Sequence, residues 1–398
     1  MIMFLLLSCL LFPFADAVGW HGGVHLGYQT AALLRWKSSL RASPPALDSW
    51  RQGTSPCTGN WTGVACGVVH RGHRHPLAVT EISLSNAGID GRLGELNFSA
   101  LPFLTYVDLS YNSLREEIPS AIASLPVLSF LDLSVNWLHG NIPPELGNMP
   151  HLTQLGLTSN NLTGRIPASI GNLTMLGALS FGNNMLTGPI PEELGKLTSL
   201  EKFALSNNML SGHVPKSFAN LTRLKILYLY TNNLSGPIPP SLGNLNKLMD
   251  LELSDNRLSA GIPVDLLNLT ELNTLSLEMN ELTGSIPHEI GLLHNLSFGV
   301  VVLEIMMGMY PTELQSIASM GQRQELEIED ILDTRPSLPT IAEKKEIALL
   351  VEVTFACLQT APQYRPEMQD VYQKLVMHKP HPFASPSHGF RLEEIREV

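Results

Sequence analysis

The chain has 398 residues, 44% of them hydrophobic and only 15% charged, with a formal net charge of −11. There are 16 basic and 21 acidic residues up to position 296 and 9 and 15 beyond it, so neither part offers the basic surface that a nucleic acid requires. Four cysteines exclude a disulfide-dense small domain, and 31 glycines with 28 prolines signal frequent turns while falling short of a collagen or a disordered linker. The length suits two or three ordinary domains or one long repeat array.

Ile2 to Phe14 is almost unbroken apolar sequence, followed by the small-x-small signature Ala15-Asp16-Ala17. Although a basic n-region is missing, residues 1–17 read as a secretory signal cleaved after Ala17. The apolar stretch is too short to span a bilayer, which takes about 20 residues. The expected location is the secretory pathway and then the cell exterior or surface. Cys9 would leave with the signal, and Cys57, Cys66 and Cys357 would remain.

A helix-periodic run, Ala31 to Lys37, is followed by Trp50, Cys57, Trp61 and Cys66. His70, His73 and His75 lie just beyond, interleaved with arginines; that pattern suits a solvated loop better than a preformed metal site. An irregular unit then carries Ile82, Leu84, Ile89, Gly91 and Leu93, set 25 residues ahead of its successor.

From Leu104 the sequence repeats every 24 residues. Asparagines stand at 112, 136, 160, 184, 208, 232, 256 and 280, and prolines keep the same step from 119 to 287. An LxxLxL pattern precedes each asparagine, as in Leu152, Leu155 and Leu157. Repeats of this length and layout predict a leucine-rich solenoid with a parallel concave sheet, an α/β fold. Alternation along each short strand turns one set of side chains inward and the other onto the concave face. The asparagine amide can both donate to and accept from turn backbone, building a ladder. Glycines at 140, 164, 188, 212, 236 and 284 fit a tight turn; Glu116 and Ala260 occupy the same place, so those two turns are expected to be locally adjusted. The proline should stop the outer segment from becoming a full α-helix.

A stack of repeats needs a cap over its first core layer, and the short helix with a Cys57–Cys66 bridge and neighbouring tryptophans would serve in a secreted chain. With SPCTGNWTGVAC and LTGxIP-type repeats, the region from Tyr28 to Leu296 closely resembles the ectodomains of plant leucine-rich-repeat receptor-like kinases. The cap is assigned to 28–76 and the repeats to 77–296. Sequons at Asn60, Asn97, Asn161, Asn172, Asn220, Asn233, Asn268 and Asn295 agree with secretion as glycosylation sites, although several are by-products of the repeat letters.

After Leu296 the register is lost. The strings SFGVVVLEIMMG (from Ser297), Ala356-Cys357-Leu358 and RPEM (from Arg365) resemble the closing helices of a serine/threonine kinase C-lobe in the same receptors, assigned to 297–376 with a tail at 377–398. Ile347, Leu350, Val351, Phe355 and Leu358 form one helical stripe, and Pro366 can start a second helix. Cys357 fits a small buried hydrophobe. Phosphoryl transfer in this family needs a glycine loop, a phosphate lysine, an H-R-D base and a D-F-G metal ligand. None of the four occurs in the sequence. No catalytic residue, ATP, cofactor or metal is therefore expected. The apolar run from Phe298 to Tyr310 carries Glu304 and is too short for a span, so the resemblance implies a receptor from which the membrane crossing and most of the kinase have been deleted.

The outward strand positions are the candidate ligand face: Tyr106, Asp108, Tyr111, Phe130 and Asp132, then Tyr228, Tyr230, Asp250, Glu252, Asp255 and Glu278. Aromatics beside carboxylates suit an extracellular peptide or protein ligand with apolar and basic groups, the competing reading being ordinary solvated positions. The resemblance adds a co-receptor kinase as partner. A secreted inhibitor or decoy of a cell-wall-degrading enzyme is one alternative, disfavoured because such inhibitors generally end in a cysteine-bearing cap and no cysteine falls between Cys66 and Cys357; a serine/threonine protein kinase is another, as a family label alone.

Overall fold

The computed structural model describes residues 25–69 and 75–284, together with Pro287 and Leu293. The expected signal at 1–17, His70, His73, Asn295, the assigned kinase fragment at 297–376 with Cys357, and the tail at 377–398 lie outside the described residues. The chain divides into two compact units, one through Leu200 and one from Glu201.

The first unit opens with the helix Leu26–Ser39, whose Leu33 and Trp36 are fully buried. Three tryptophans form the centre of this cap. Trp50 stacks on Trp61 with centroids 5.2 Å apart, and Trp36 lies 6.4 Å from Trp50. Each indole N–H finds an acceptor: Trp36 donates to the Arg92 carbonyl, Trp50 to that of Thr62, and Trp61 to the Thr54 hydroxyl. Without those partners, three polar groups would be stranded in an apolar layer. Cys57 and Cys66 are bridged, with Cα atoms 5.4 Å apart. The strand Val64–Val68 then pairs antiparallel with Leu77–Ser83. The latter delivers the chain to the repeats by pairing parallel with Tyr106–Asp108, Glu81 opposite Tyr106.

Repeats in both units follow one plan. In the first, Tyr106–Asp108, Phe130–Asp132, Gln154–Gly156 and Ala178–Ser180 form a parallel sheet in which residues 24 apart are direct partners. In the second, Lys202–Ala204, Ile226–Tyr228, Asp250–Glu252 and Thr274–Ser276 do the same. The central residue of every strand is buried, from Val107, Leu131, Leu155 and Leu179 to Phe203, Leu227, Leu251 and Leu275. Burying each such side chain stabilises the fold by about 1.5–3 kcal/mol.

The asparagine ladder is the polar counterpart of that core. Asn160 Oδ1 accepts the Leu138 N–H at 3.0 Å, while its Nδ2 donates to the carbonyls of Leu133 at 3.0 Å and Leu157 at 3.2 Å. Asn256 repeats the pattern with the Leu234 N–H and the Leu229 and Leu253 carbonyls. To aim the amide inward, the preceding residue turns left-handed whatever its type: Val135 has φ 54° and Thr231 φ 52°. Such φ values are costly for β-branched residues and persist because the ladder over-determines them.

Each outer segment is a 3₁₀ helix, such as Ala168–Asn172, entered from a proline with φ between −71° and −61°. Two features differ from expectation. A second parallel sheet runs along the flank of each unit. It holds Asp90–Arg92, Ser113–Glu117, Trp137–Asn141, Asn161–Gly164 and Met185–Pro189 in the first, and Met209–Gly212, Asn233–Pro237, Arg257–Ala260 and Glu281–Leu282 in the second. The turns at Glu116 and Ala260 are not adjusted either. They keep the left-handed backbone of the glycine positions, with φ 70° and 65°. The neighbouring strands fix the turn, so the side chain bears a strain of about 1–2 kcal/mol.

Candidate functional site

The concave sheets carry the expected aromatic–acidic clusters, one within each unit. In the first, in-register pairing sets Tyr106 against Phe130, and the rings stack with centroids 4.1 Å apart and planes 14° off parallel. Burial pushes the Tyr106 phenol above its ordinary pKa, and the carboxylates of Asp108, Glu81 and Asp132 add to the rise. Glu81 was not among the sequence candidates. It lies 25 residues ahead of Tyr106 on the cap strand, and that one-residue offset hid its place in the outward column.

Asp108 and Asp132 are half-buried and already engaged. Asp108 Oδ1 accepts the Ser110 backbone N–H at 3.0 Å and its hydroxyl at 2.7 Å, and Asp132 Oδ1 accepts the Ser134 N–H at 2.8 Å. These Asp-x-Ser bonds hold the chain as it leaves the strand. Tyr111, by contrast, is 60% exposed, and it sits in the left-handed turn after the strand at φ 54°.

In the second unit Tyr228 and Tyr230 present tilted rings, 6.1 Å apart at 58°. Asp250 and Glu252 follow on the adjacent strand, with Glu252 in register with Tyr228. Burial raises the Glu252 carboxyl above its ordinary pKa, with Asp250 and Glu278 pushing it further. Burial likewise raises the Tyr228 phenol, helped by Glu252 and Asp250. Lys225 and Arg223, at the sheet edge, bind Glu201 at 2.8 and 3.0 Å. The Lys225 hydrogen bond, foremost, holds the Glu201 carboxyl below its usual range.

Two candidates of this unit need correcting. Glu278 is not an outward, solvated group; its residue is only 4% exposed, and the Ser276 hydroxyl lies 2.9 and 2.8 Å from its two carboxylate oxygens. It occupies the third column, where Ser206 and Ser254 are also buried at the sheet margin. Asp255, like Tyr111, lies in the left-handed turn, at φ 51°. The sequon asparagines 60, 97, 161, 172, 220, 233 and 268 are all exposed. Among the described residues no group of three His, Cys, Asp or Glu side chains could hold a metal ion.

Residues 26–67 match the family described as leucine rich repeat N-terminal domain. Residues 103–125, 127–149, 151–173, 199–221 and 223–245 match the leucine rich repeat family. Together these matches fall on the cap and on five of the repeats described above. The chain's relatives among curated proteins are receptor kinases of Arabidopsis thaliana. The chain is 40% identical over 84 residues to MDIS1-interacting receptor like kinase 2, covering 20% of this chain and 7% of that one. It is 32% identical over 91 residues to pollen receptor-like kinase 6, covering 23% and 13%. The matched regions therefore span a small fraction of those relatives.

Solved structures give longer matches. The ectodomain of the Arabidopsis receptor kinase HAESA, in complex with a peptide hormone ligand, aligns over 68% of this chain and 44% of its own, at 34% identity and a TM-score of 0.60. HAESA in complex with the peptide hormone IDA and the co-receptor SERK1 aligns over 68% and 45%, at 32% identity and a TM-score of 0.61. No helix among the described residues is long and apolar enough to cross a membrane.

Proposed function

We propose that the repeats form the ligand-recognition region of a plant receptor-like kinase, displayed on the extracellular side, and that its ligand is a peptide segment carrying basic and apolar side chains. The observation that carries this reading is the second unit's cluster, where two tyrosines adjoin Asp250 and a half-buried Glu252 whose charge is disfavoured by burial and by its neighbours. A guanidinium or ammonium group arriving there relieves repulsion that the folded protein otherwise bears, while the tyrosine faces supply contact area at small entropic cost. Similarity to receptors solved with a peptide hormone and a co-receptor supports the same class of partner, including a co-receptor kinase. Recognition without phosphotransfer is part of the reading, since the sequence holds none of the kinase motifs.

Incubating the secreted full chain with an extracellular peptide fraction, then identifying bound peptides by mass spectrometry, tests this. Basic, apolar-flanked peptides should be retained by the wild type and lost from Tyr228→Ala/Tyr230→Ala. A bound set that is acidic, or from which the double variant loses no basic peptide, would overturn it.

A further inference from the structure

The flank of the first unit carries a second recognition surface, separate from the concave sheet. Its core is a cleft of about 740 Å³ formed where the flanking sheet turns into the outer 3₁₀ segments. Pro119, Pro143 and Pro144 give it a rigid apolar wall. The strained Glu116 stands at its centre, reaching Arg92 on one neighbouring strand at 3.4 Å and His139 on the other at 3.9 Å. Glu95 and Glu117 also line the cleft, and neither makes an ion pair among the described residues. Gly140 leaves room for this arrangement: a Cβ there would come within 2.8 Å of the Glu117 side chain.

Beside the cleft is an exposed aromatic group. Trp137 is 58% exposed, an unusual state for the largest apolar side chain. It shares its face of the strand with His139, since Leu138 between them is fully buried, and it is in register with Arg115. The strands bearing Glu116, Glu117, Trp137 and His139 carry no sequon themselves, and the next one, Asn161, lies on the neighbouring strand in register with His139.

We propose that this flank docks a partner protein through a segment presenting a lysine or arginine beside an aliphatic or aromatic residue. Charge complementarity selects the occupant: three carboxylates against one arginine and one histidine leave the cleft net negative, so it favours a cation. Trp137 supplies the anchor, a residue type that concentrates binding energy in interfaces. A neutral sugar would leave the carboxylates uncompensated, and a nucleic acid would be repelled by them.

The test uses the full secreted chain and a displayed random-hexapeptide library. Peptides retained by the wild type are re-measured on Glu117→Lys, Trp137→Ala and Tyr228→Ala/Tyr230→Ala, with circular dichroism confirming that each variant is folded. A class of peptides with an adjacent basic–apolar pair should lose at least tenfold in affinity on Glu117→Lys and on Trp137→Ala, and keep its affinity on the tyrosine double variant. The proposal is overturned if no retained peptide depends on Glu117 and Trp137. It is equally overturned if the dependent ones are acidic, or if a neutral oligosaccharide displaces them.

Discussion

The two aromatic–acidic clusters share one column of the repeat, Asp108 and Asp132 in the first unit and Tyr228 and Glu252 in the second, yet they are chemically different sites. In the first unit the short aspartate side chains fold back: Asp108 and Asp132 each spend an oxygen on the backbone two residues ahead, and the neighbouring rings stack on each other. In the second, Glu252 stands in the column of Asp108 and Asp132, but its longer side chain meets Asp250 and Glu278 and is driven toward protonation. One methylene separates a carboxylate that holds its own turn from one that crowds its neighbours. Outward position alone therefore does not make a residue a ligand contact; what its polar atoms already hold decides.

The comparison can be broken or sharpened at several points. What the units share is the asparagine ladder, so Asn160→Ala and Asn256→Ala should cost about the same, roughly 3 kcal/mol each, by stranding one N–H and two carbonyls. Chemical denaturation checks this, and clearly unequal losses would mean that the two units are not built alike. Asp132→Ala should lower stability by about 1 kcal/mol, whereas Asp132→Asn, which keeps an acceptor oxygen for the Ser134 N–H, should be nearly silent. Ala260→Gly should raise stability by about 1 kcal/mol, because glycine adopts the left-handed turn at φ 65° without strain. A loss instead would show that the turn is relaxed.

The smallest effect is the most diagnostic for the second cluster. A carboxyl whose pKa is raised on folding binds more protons in the folded than in the unfolded state, so stability falls as pH rises through the raised value. Glu252→Gln should therefore stabilise the protein at neutral pH, with the gain vanishing below the ordinary carboxylate value of 4.5. Melting curves across that range read it, and a gain independent of pH would point to packing rather than charge.

Much of the scaffold was legible in the letters. A strict 24-residue spacing leaves only one way to stack the inward leucines, and the ladder and proline-started outer segments follow from it. The flanking sheet was not legible, because most of its strands bury a single leucine, such as Leu114, Leu138 or Leu162, too little to show alternation. The structural role of Asp108 and Asp132 had a visible signal in the Asp-x-Ser spacing, which marks side-chain-to-backbone bonding two residues on. Burial of Glu278 had none, since counting outward positions says nothing about what covers the sheet margin. The exposure of Trp137 was equally hidden, as a tryptophan beside a leucine reads as core until the strand's facing is known.

The most direct measurement compares affinities for one basic, apolar-flanked peptide that the wild-type chain and Trp137→Ala bind equally, measured by calorimetry on two double variants. Tyr228→Ala/Tyr230→Ala should weaken binding at least tenfold, while Asp108→Asn/Asp132→Asn should change it less than twofold. The reverse order, with the aspartate pair decisive and the tyrosine pair silent, would contradict the assignment of recognition to the second unit and of turn-holding to the first.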